Sequence, residues 1–373
     1  MTTENKNLGP GHPESVPIIP RKELATTQTK APNNQQAVVA ARNFLTTEFT
    51  PEDYKSDFYG ELDPTRAKEM YRIFSEMEKS EPGQVDLGPI IHNTEEYSVE
   101  QISLLENYAI YYFFLDRVIP KILEENPDDH LNVLDIGSGP TIYQFILMSV
   151  LAGKIMPTEY DAGNRAVLEK WLADGQQGWE SYLNCFSQGI GESTNKITLD
   201  DSVQKRIDQF SVSPDQIDDY LRQITVSPVA VDVFKSNLEL PAEYHPDLIN
   251  LGREGGKYLL TSFFCVESAF TQDRERWQLG IENLSNQLLP GGYLVMTAIT
   301  GSDWYRDGGA KIPAVNVNGD DIASELKKNN IEVISRLDMA CETEEEASDH
   351  GRGKGYSGYS GMSFILAKKK QIE

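Results

Sequence analysis

The sequence predicts an α/β protein built on a doubly wound, mostly parallel β-sheet with antiparallel pairing at one edge. Three observations lead to this fold class. Short apolar runs alternate with helical segments from about residue 131 onward, which is typical of parallel strands joined by crossover helices. One run ends in a glycine-rich turn that opens a helix. The last two runs are separated only by a loop, which favours an antiparallel pair.

The composition is that of a globular protein with a strongly acidic balance. Hydrophobic residues make up 39% of the 373 positions, enough to bury a core. The 34 Lys and Arg against 58 Asp and Glu give a net charge of −24. This charge argues against nucleic acid as a partner, because phosphate binding needs clustered cations. A membrane partner is disfavoured for the same reason, and no stretch reaches the roughly 20 apolar residues of a span.

Cysteine and histidine usage limits the kinds of site the chain can hold. The three cysteines are widely spaced, which suits neither a disulfide framework nor a zinc site. The five histidines show no ligand-like spacing, so we expect no metal. The first 20 residues lack an apolar segment after a basic one, so a secretory signal is not expected. We therefore expect a cytoplasmic location, while the oligomeric state is not predicted.

The N-terminal third is predicted to be a tail followed by helices. Residues 1–36 are rich in Pro, Asn, Thr and Gln, which is typical of disorder. Residues 37–126 form a helical region, with helical patterns over 37–77 and 98–123. Thr50 is a predicted N-cap, because Pro51 then takes the first helical position.

Residues 127–373 are predicted to carry the sheet. The helices expected between its strands include 162–174 and 273–289, and insertions lie near 186–225 and 342–358. Seven apolar runs are predicted strands: 131–136, 154–159, 229–233, 257–264, 292–298, 331–339 and 361–368.

The run from Asp135 to Tyr143, Asp-Ile-Gly-Ser-Gly-Pro-Thr-Ile-Tyr, carries the strongest chemical signal. A strand ends, glycines let the backbone approach a ligand closely, and a helix begins. Such a turn binds a dinucleotide pyrophosphate or the amino-acid end of S-adenosylmethionine, or it is purely structural. The dinucleotide pattern needs a third glycine where Ile142 stands, which disfavours a nicotinamide cofactor. The Asp135 carboxylate either stabilises the turn or faces a cationic cofactor.

Two further acids end predicted strands. Glu159 follows the glycines by about 20 residues, where a carboxylate can accept from both ribose hydroxyls of an adenosine. Asp232 ends the third predicted strand, where it can accept from the exocyclic amine of adenine while the Val233 amide meets the ring. The alternatives are a surface acid for Glu159 and a helix N-cap for Asp232.

These motifs resemble the family of nicotinamide N-methyltransferase, phenylethanolamine N-methyltransferase and thioether S-methyltransferase. The resemblance covers about residues 49–369 and is interrupted by the two insertions. Its matching pieces are Phe49-Thr-Pro-Glu-Asp-Tyr54, Ile136-Gly-Ser-Gly-Pro-Thr-Ile-Tyr-Gln144, Glu159-Tyr160 followed by Leu168-Glu-Lys-Trp-Leu172, and Ser262-Phe-Phe-Cys-Val-Glu267. The resemblance implies a Rossmann-like class I methyltransferase sheet, with an N-terminal helical lid over the cofactor.

The resemblance also implies S-adenosylmethionine as cofactor and S-adenosylhomocysteine as product. Tyr54 and Tyr59 would close over the methionyl carboxylate and sulfonium. Glu159 and Asn164 would hold the ribose, with Tyr160 beside the adenine. The remaining implied contacts are those with the methionyl portion, from Gly137, Ser138, Gly139, Thr141 and Tyr143, and those with the adenine edge, from Asp232 and Val233.

For the methyl acceptor, the resemblance implies that Glu267 faces the nucleophile and acts in catalysis together with Tyr59. Trp304 and Tyr305 would wall the acceptor pocket. Thr297 stands nearest to the position of the aspartate that serves nicotinamide methylation, which disfavours nicotinamide.

The sequence therefore predicts methyl transfer to a small molecule, with a thioether amino acid such as methionine as the leading acceptor. Arg253, Arg306 and Arg352 lie in predicted loops from which they can pair with its carboxylate. One alternative is N-methylation of a small amine or pyridine-like base, which Glu267 would favour. Another is a catalytically silent S-adenosylmethionine-binding partner subunit.

Overall fold

The computed structural model describes residues 59–88, 90, 99–126, 130–175, 178–194, 205, 208, 213–240, 258–269, 272–307, 310–341, 343, 345 and 358–371. The predicted disordered tail, the Thr50 helix start and the predicted contacts of Tyr54, Arg253 and Arg352 lie outside these residues.

In the described part of the chain, seven strands form one sheet and two more form a separate hairpin. The sheet strands are β1 (Gln84–Asp86), β2 (Leu131–Ile136), β3 (Ala152–Thr158), β4 (Tyr258–Phe263), β5 (Tyr293–Thr300), β8 (Ile331–Ala340) and β9 (Gly361–Lys369), and the hairpin strands are β6 (Trp304–Asp307) and β7 (Ala310–Pro313). The order in the sheet is β1-β8-β9-β5-β4-β2-β3. Strand β9 is antiparallel to β5 and β8, and the other neighbouring pairs are parallel. The predicted α/β class with a mostly parallel sheet is confirmed.

The β8–β9 pair is antiparallel as predicted, but it does not end the sheet. Strand β1 pairs with β8 in parallel and forms the edge, with Val85 opposite Met339. The sequence analysis did not identify β1 because its three residues directly follow Pro82-Gly83 and are too few to show alternation.

The predicted strand at 229–233 is wrong. The segment touches β3 only through isolated bridges at Thr225 and Val229, where the Val226 amide donates to Ile155 at 3.0 Å and the Val229 amide to Pro157 at 3.2 Å. Pro157 and Pro228 have no N–H to donate, so a continuous ladder cannot form between the two segments.

Helices flank the sheet on both faces. They are α1 (Pro64–Ser80), α2 (Val99–Phe113), α3 (Ile119–Glu125), α4 (Tyr143–Met148), α5 (Ala162–Asp174), α6 (Glu180–Thr194), α7 (Pro214–Ile224), α8 (Arg274–Gln287) and α9 (Gly319–Lys328). A π-helical turn, Phe114–Val118, joins α2 to α3, and Ser236–Glu239 is a 3₁₀ turn. In the described part of the chain, no helix has the length and apolar character that crossing a membrane requires.

Local chemistry explains where these helices begin. Asp63 caps α1 by accepting from the Thr65 amide at 2.7 Å, and Pro64 takes the first helical position. Asp161 and Asp273 cap α5 and α8 in the same way. Helix α9, which the sequence analysis did not predict, begins with a capping box between Asn318 and Asp321.

The sheet separates two apolar clusters. One includes Phe113, Phe145 and Phe364 and packs against α2 and α4, and the other includes Trp277 and Leu326 under α8 and α9. Because β2, β3, β4 and β5 are parallel, their carboxyl ends meet at one edge of the sheet. The glycine turn, Glu159 and the residues after β4 therefore come together there.

Candidate functional site at the carboxyl ends of the strands

The glycine turn after β2 is held against the end of β3. The amides of Gly137 and Ser138 both donate to the Thr158 carbonyl, at 3.0 and 2.8 Å. Gly137 and Gly139 have φ angles of +74° and +63°, in the left-handed region that favours glycine. A Cβ at Gly137 would lie 2.3 Å from the Cys265 sulfur, so this position has no room for a side chain.

Buried polar side chains hold the turn from below. The Asp135 carboxylate accepts from the Thr261 hydroxyl at 2.6 Å and from the Gln144 amide at 3.4 Å, and burial raises its pKa. Gln144 also donates to the Ser138 carbonyl at 2.8 Å, and the Thr141 hydroxyl donates to that carbonyl at 3.1 Å. Of the two roles considered for Asp135, the structure supports stabilisation of the turn. The Thr141 hydroxyl is buried and used inside the turn.

Glu159 joins the end of β3 to the glycine turn. One carboxylate oxygen accepts from the Gly139 amide and the other from the Asp161 amide, both at 2.7 Å. Burial raises the pKa of the Glu159 carboxyl group, and the hydrogen bonds from the Asp161 and Gly139 amides offset part of this rise. The Asn164 side-chain oxygen is itself buried without a hydrogen-bond partner in the described structure. Glu159 and Asn164 thus offer polar oxygens at one spot.

The segment predicted to read adenine lies beside Glu159. The Glu159 amide donates to the Val229 carbonyl at 2.9 Å, which brings the following residues alongside. Asp232 accepts from the Phe234 amide at 3.0 Å, and the Val233 carbonyl accepts from Asn283 of α8 at 2.8 Å. These bonds fix a turn there. The Tyr160 ring is 72% exposed, although most large hydrophobic side chains in the described structure are buried.

Tyr59 packs on Tyr143, the first residue of the helix that follows the glycine turn. Its ring stacks on that of Tyr143, with centroids 4.8 Å apart and an interplanar angle of 29°. Trp179 and Tyr182 of the α6 region lie at 5.8 and 6.4 Å from the same ring. Tyr143 in turn meets Phe263 edge to face at 5.7 Å. The glycine turn and the end of β4 are therefore linked by aromatic rings.

A cavity opens beside Tyr59. Most of its wall is apolar or aromatic, from Tyr59, Ile110, Phe264, Ile299, Tyr305 and Met362. Its polar groups come from Glu106, Asn107, Ser268 and Tyr359. No Lys, Arg or His side chain is among the described residues of this wall. The described wall is therefore mainly apolar, with one carboxyl group among its polar side chains.

The structure brings only one of the four predicted acceptor residues, Tyr305, into the cavity wall. Glu267 is fully buried and is not part of this wall: one oxygen accepts from the Ile299 amide at 3.1 Å, and the other has no hydrogen-bond partner among the other described residues. Burial raises the pKa of Glu267 to about 8. Thr297 is fully buried in β5, between Phe263 and Phe364.

Trp304 lies outside the cavity, although the resemblance implied a wall position. Its ring packs against the backbone of Gly358, where a Cβ would lie 2.6 Å from a ring atom. The Lys311 ammonium is 3.9 Å from the ring centroid and the Arg306 guanidinium 5.7 Å. Neighbouring residues of a strand point to opposite faces, so Tyr305 faces inward and Trp304 outward.

Glu106, Asn107 and Tyr359 were not predicted. Glu106 and Tyr359 are hydrogen-bonded at 2.6 Å across 253 positions of sequence. A Glu in the middle of an amphipathic helix and a Tyr in a Gly- and Tyr-rich loop carry no motif, so only the fold shows that they meet.

A protein-family model and several known proteins match this chain. The model of the NNMT/PNMT/TEMT family matches residues 94–370. Phenylethanolamine N-methyltransferase of Homo sapiens is 28% identical over 205 residues, which are 54% of this chain and 62% of that protein. Nicotinamide N-methyltransferase of Homo sapiens is 25% identical over 201 residues, 52% of this chain and 64% of that protein. The chain thus spans less than two thirds of either relative.

Among solved structures, an S-adenosylmethionine-dependent methyltransferase from Clostridium acetobutylicum is similar at a TM-score of 0.37 and 10% identity. That match covers 80% of this chain and 99% of the other. The family match extends over most of the present chain, from within the N-terminal region to the last strand. The chain belongs to the NNMT/PNMT/TEMT family.

Proposed function

We propose that this chain is an S-adenosylmethionine-dependent methyltransferase that methylates the nitrogen of a small amine. The observation that carries the proposal is the bond between Gly139 and Glu159, in a protein that also holds an aromatic cavity. This bond fixes a carboxylate on the glycine turn, and the Tyr59 ring both stacks on Tyr143 and lines the cavity. Family membership and the names of the relatives support the same reaction class.

The residues present fit the cofactor. The buried oxygen of Asn164 without a partner and the Glu159 carboxylate would accept from ribose hydroxyls. Tyr160, Asp232 and Val233 would lie at the adenine. The methionyl portion would lie along Gly137, Ser138, Gly139, Thr141 and Tyr143, under Tyr59. When bound, the cofactor supplies a methyl group activated on a sulfonium.

The chain's own residues would position the acceptor and keep water away from it. The aromatic wall fixes an apolar body, and holding reacting atoms in line is a large part of catalysis in a direct displacement. An amine attacks only when neutral, so a carboxylate at the cavity can take its proton. The product is a methylated, cationic amine, which the faces of Tyr59 and Tyr305 would stabilise by about 0.5–2 kcal/mol each.

The composition of the cavity favours an amine over a thioether amino acid. An amino acid presents a carboxylate, and the described wall holds acidic and apolar side chains without a cation to pair with it. Arg306, one of the arginines considered for that role, lies against the Trp304 ring. Methylation of the methionine sulfur stays a prediction that the same assay tests.

The test is methyl transfer from isotopically labelled S-adenosylmethionine to methionine, simple thioethers, nicotinamide and arylethylamines, with products identified by mass. A methylated amine with inert thioethers supports the proposal and excludes a catalytically silent subunit. Methylated methionine with inert amines would replace it with sulfur chemistry.

Cofactor binding is tested separately by titration calorimetry with S-adenosylhomocysteine. Glu159→Ala should weaken binding roughly 10- to 100-fold, because hydrogen bonds to a charged group are lost. The matched control is Glu169→Ala, which removes an exposed acid of α5. This variant should bind S-adenosylhomocysteine like the wild type. Absence of binding by the wild-type protein would overturn the proposed function.

A further inference from the structure

We propose that Glu106, held by Tyr359, is the group that binds the basic nitrogen of the acceptor. This inference rests on the proposed function, and it assigns to α2 a recognition role for which the sequence analysis had named Glu267. It follows from the contacts of Glu106, from the rest of the cavity wall, and from a comparison with another buried acid in the same protein.

The contacts of Glu106 leave one of its oxygens available. One carboxylate oxygen accepts from the Tyr359 hydroxyl at 2.6 Å. From the described residues the other oxygen receives only the Cys341 thiol, at 3.8 Å, and a thiol is a weak donor. Glu106 is 5% exposed and lines the cavity, so this second oxygen can accept from a ligand. Tyr359 fixes the carboxylate, and the cavity gives a ligand access to it.

The charges around Glu106 make a cation the expected partner. The titratable groups facing it are the Tyr359 phenol, the Cys341 thiol and, across the cavity, Tyr59 and Tyr305. None of these described groups is a cation. A buried carboxylate without a counter-charge is costly, so a ligand that brings an ammonium into this wall gains the interaction that the protein lacks.

Glu78 shows how the same fold treats a buried acid with a structural role. Its carboxylate is paired with the Arg117 guanidinium, accepts from the Tyr112 hydroxyl at 2.5 Å and accepts from the Gly83 amide at 3.0 Å. Glu106 lies on the neighbouring helix at similar burial but without a cation. The contrast separates a carboxylate that completes the core from one that faces a ligand cavity.

Binding of an ammonium to Glu106 should release a proton. Burial raises the pKa of Glu106 to about 8, so in the free protein the carboxyl group is mostly protonated at pH 7. An ammonium at hydrogen-bond distance favours the ionised form and lowers this pKa. The amine therefore binds as a cation while Glu106 gives its proton to the solvent. A purely structural Glu106 would produce no such release.

The experiment is calorimetry at pH 7 with S-adenosylhomocysteine present, in two buffers of different ionisation enthalpy. The probes are 2-phenylethylamine, which is a cation at this pH, and its neutral counterpart 2-phenylethanol. The variants are Glu106→Gln, which keeps an acceptor for Tyr359, and Tyr359→Phe. The control is Glu325→Gln. Glu325 is a buried acid of α9 whose carboxylate accepts hydrogen bonds from Gln278 and Lys328 and does not line the cavity.

We expect the wild-type protein and Glu325→Gln to prefer the amine and to release up to about one proton on binding it. Glu106→Gln should lose roughly 10- to 100-fold in amine affinity, release no proton and bind the alcohol as before. Tyr359→Phe should show a smaller loss of amine affinity than Glu106→Gln. Thermal unfolding should confirm that each variant is folded.

Three results would overturn the inference: an unchanged preference for the amine in Glu106→Gln, equal losses for amine and alcohol, or no amine binding by a wild-type protein that binds S-adenosylhomocysteine. In each case the proposed function could still stand. Failure to bind S-adenosylhomocysteine is the distinct result that removes the proposed function itself.

Discussion

At the scale of single residues, the site depends on positions where backbone geometry and burial restrict which side chain can be accommodated. Gly137 combines a left-handed backbone with the Cys265 sulfur at the place its Cβ would occupy. We predict that Gly137→Ala lowers the free energy of unfolding by about 2 kcal/mol or more, from backbone strain and overpacking. Affinity for S-adenosylhomocysteine should fall with it.

Urea unfolding and calorimetry measure these two effects, and the control is Gly291→Ala. Gly291 has a φ of +82°, but its Cβ would meet only the Gln371 side chain, at 3.5 Å. It should therefore show the backbone strain without the clash. Equal losses in the two variants would contradict the role of the Cys265 contact.

Glu267 and Glu106 give the protein a pH dependence of known sign. Burial raises the pKa of each to about 8, well above that of an exposed Glu. Between the unfolded and folded pKa values the unfolded chain has lost the proton and the folded chain keeps it, so each group lowers stability as pH rises. The slope is at most about 1.4 kcal/mol per pH unit for each group. We predict that Glu267→Gln flattens the decline between pH 5 and pH 8.

Urea unfolding at four pH values across that range measures the slope, with Glu325→Gln as the control. A steeper decline in Glu267→Gln, or an unchanged one, would show that the carboxyl group is ionised in the folded protein. At this scale the sequence analysis named Glu267 as the acid facing the acceptor, which stays a prediction. It had no means to find Glu106, whose partners Cys341 and Tyr359 are 235 and 253 positions away.

At the scale of elements, α1, α2 and the π-helical turn are joined through Glu78. Besides pairing with Glu78, Arg117 donates to Ser335 at 3.0 Å and to the Arg336 carbonyl at 3.2 Å, which attaches these helices to β8. We predict that Glu78→Gln costs about 3–5 kcal/mol, because it leaves a largely buried guanidinium without its counter-charge. Glu76→Gln, which breaks an exposed pair with Arg72, should cost at most about 1 kcal/mol.

Urea unfolding compares the two variants, and similar small costs for both would contradict the structural role of Glu78.

The sequence predicted elements well where local chemistry is strong. Strand β2 and helix α5 have the predicted limits, because a buried apolar run before a glycine turn and an Asp cap mark them. It was wrong at 229–233, where Pro157 and Pro228 limit the pairing to isolated bridges, and it missed β1, whose partner β8 lies about 250 residues later along the chain.

At the scale of the whole molecule, the net charge of −24 leaves anionic side chains in excess of those that cations can pair. Repulsion among them disfavours the compact state, and salt screens it over a Debye length that falls from about 30 Å at 0.01 M to about 8 Å at 0.15 M. The exposed ion pairs, such as Arg72 with Glu76, act in the opposite direction, but each contributes at most about 1 kcal/mol. We therefore predict that Tm rises when NaCl is raised from 0.01 to 0.15 M.

Thermal unfolding in NaCl, with sucrose as an uncharged comparison, measures this effect. Sucrose stabilises by exclusion from the protein surface and leaves charge repulsion unscreened, so a rise confined to the salt series identifies electrostatics. A fall in Tm with NaCl would mean that attractive ion pairs outweigh the excess of acids. The same screening should weaken binding of 2-phenylethylamine and leave binding of the neutral 2-phenylethanol unchanged, because the acidic surface attracts only the cationic amine before it reaches Glu106.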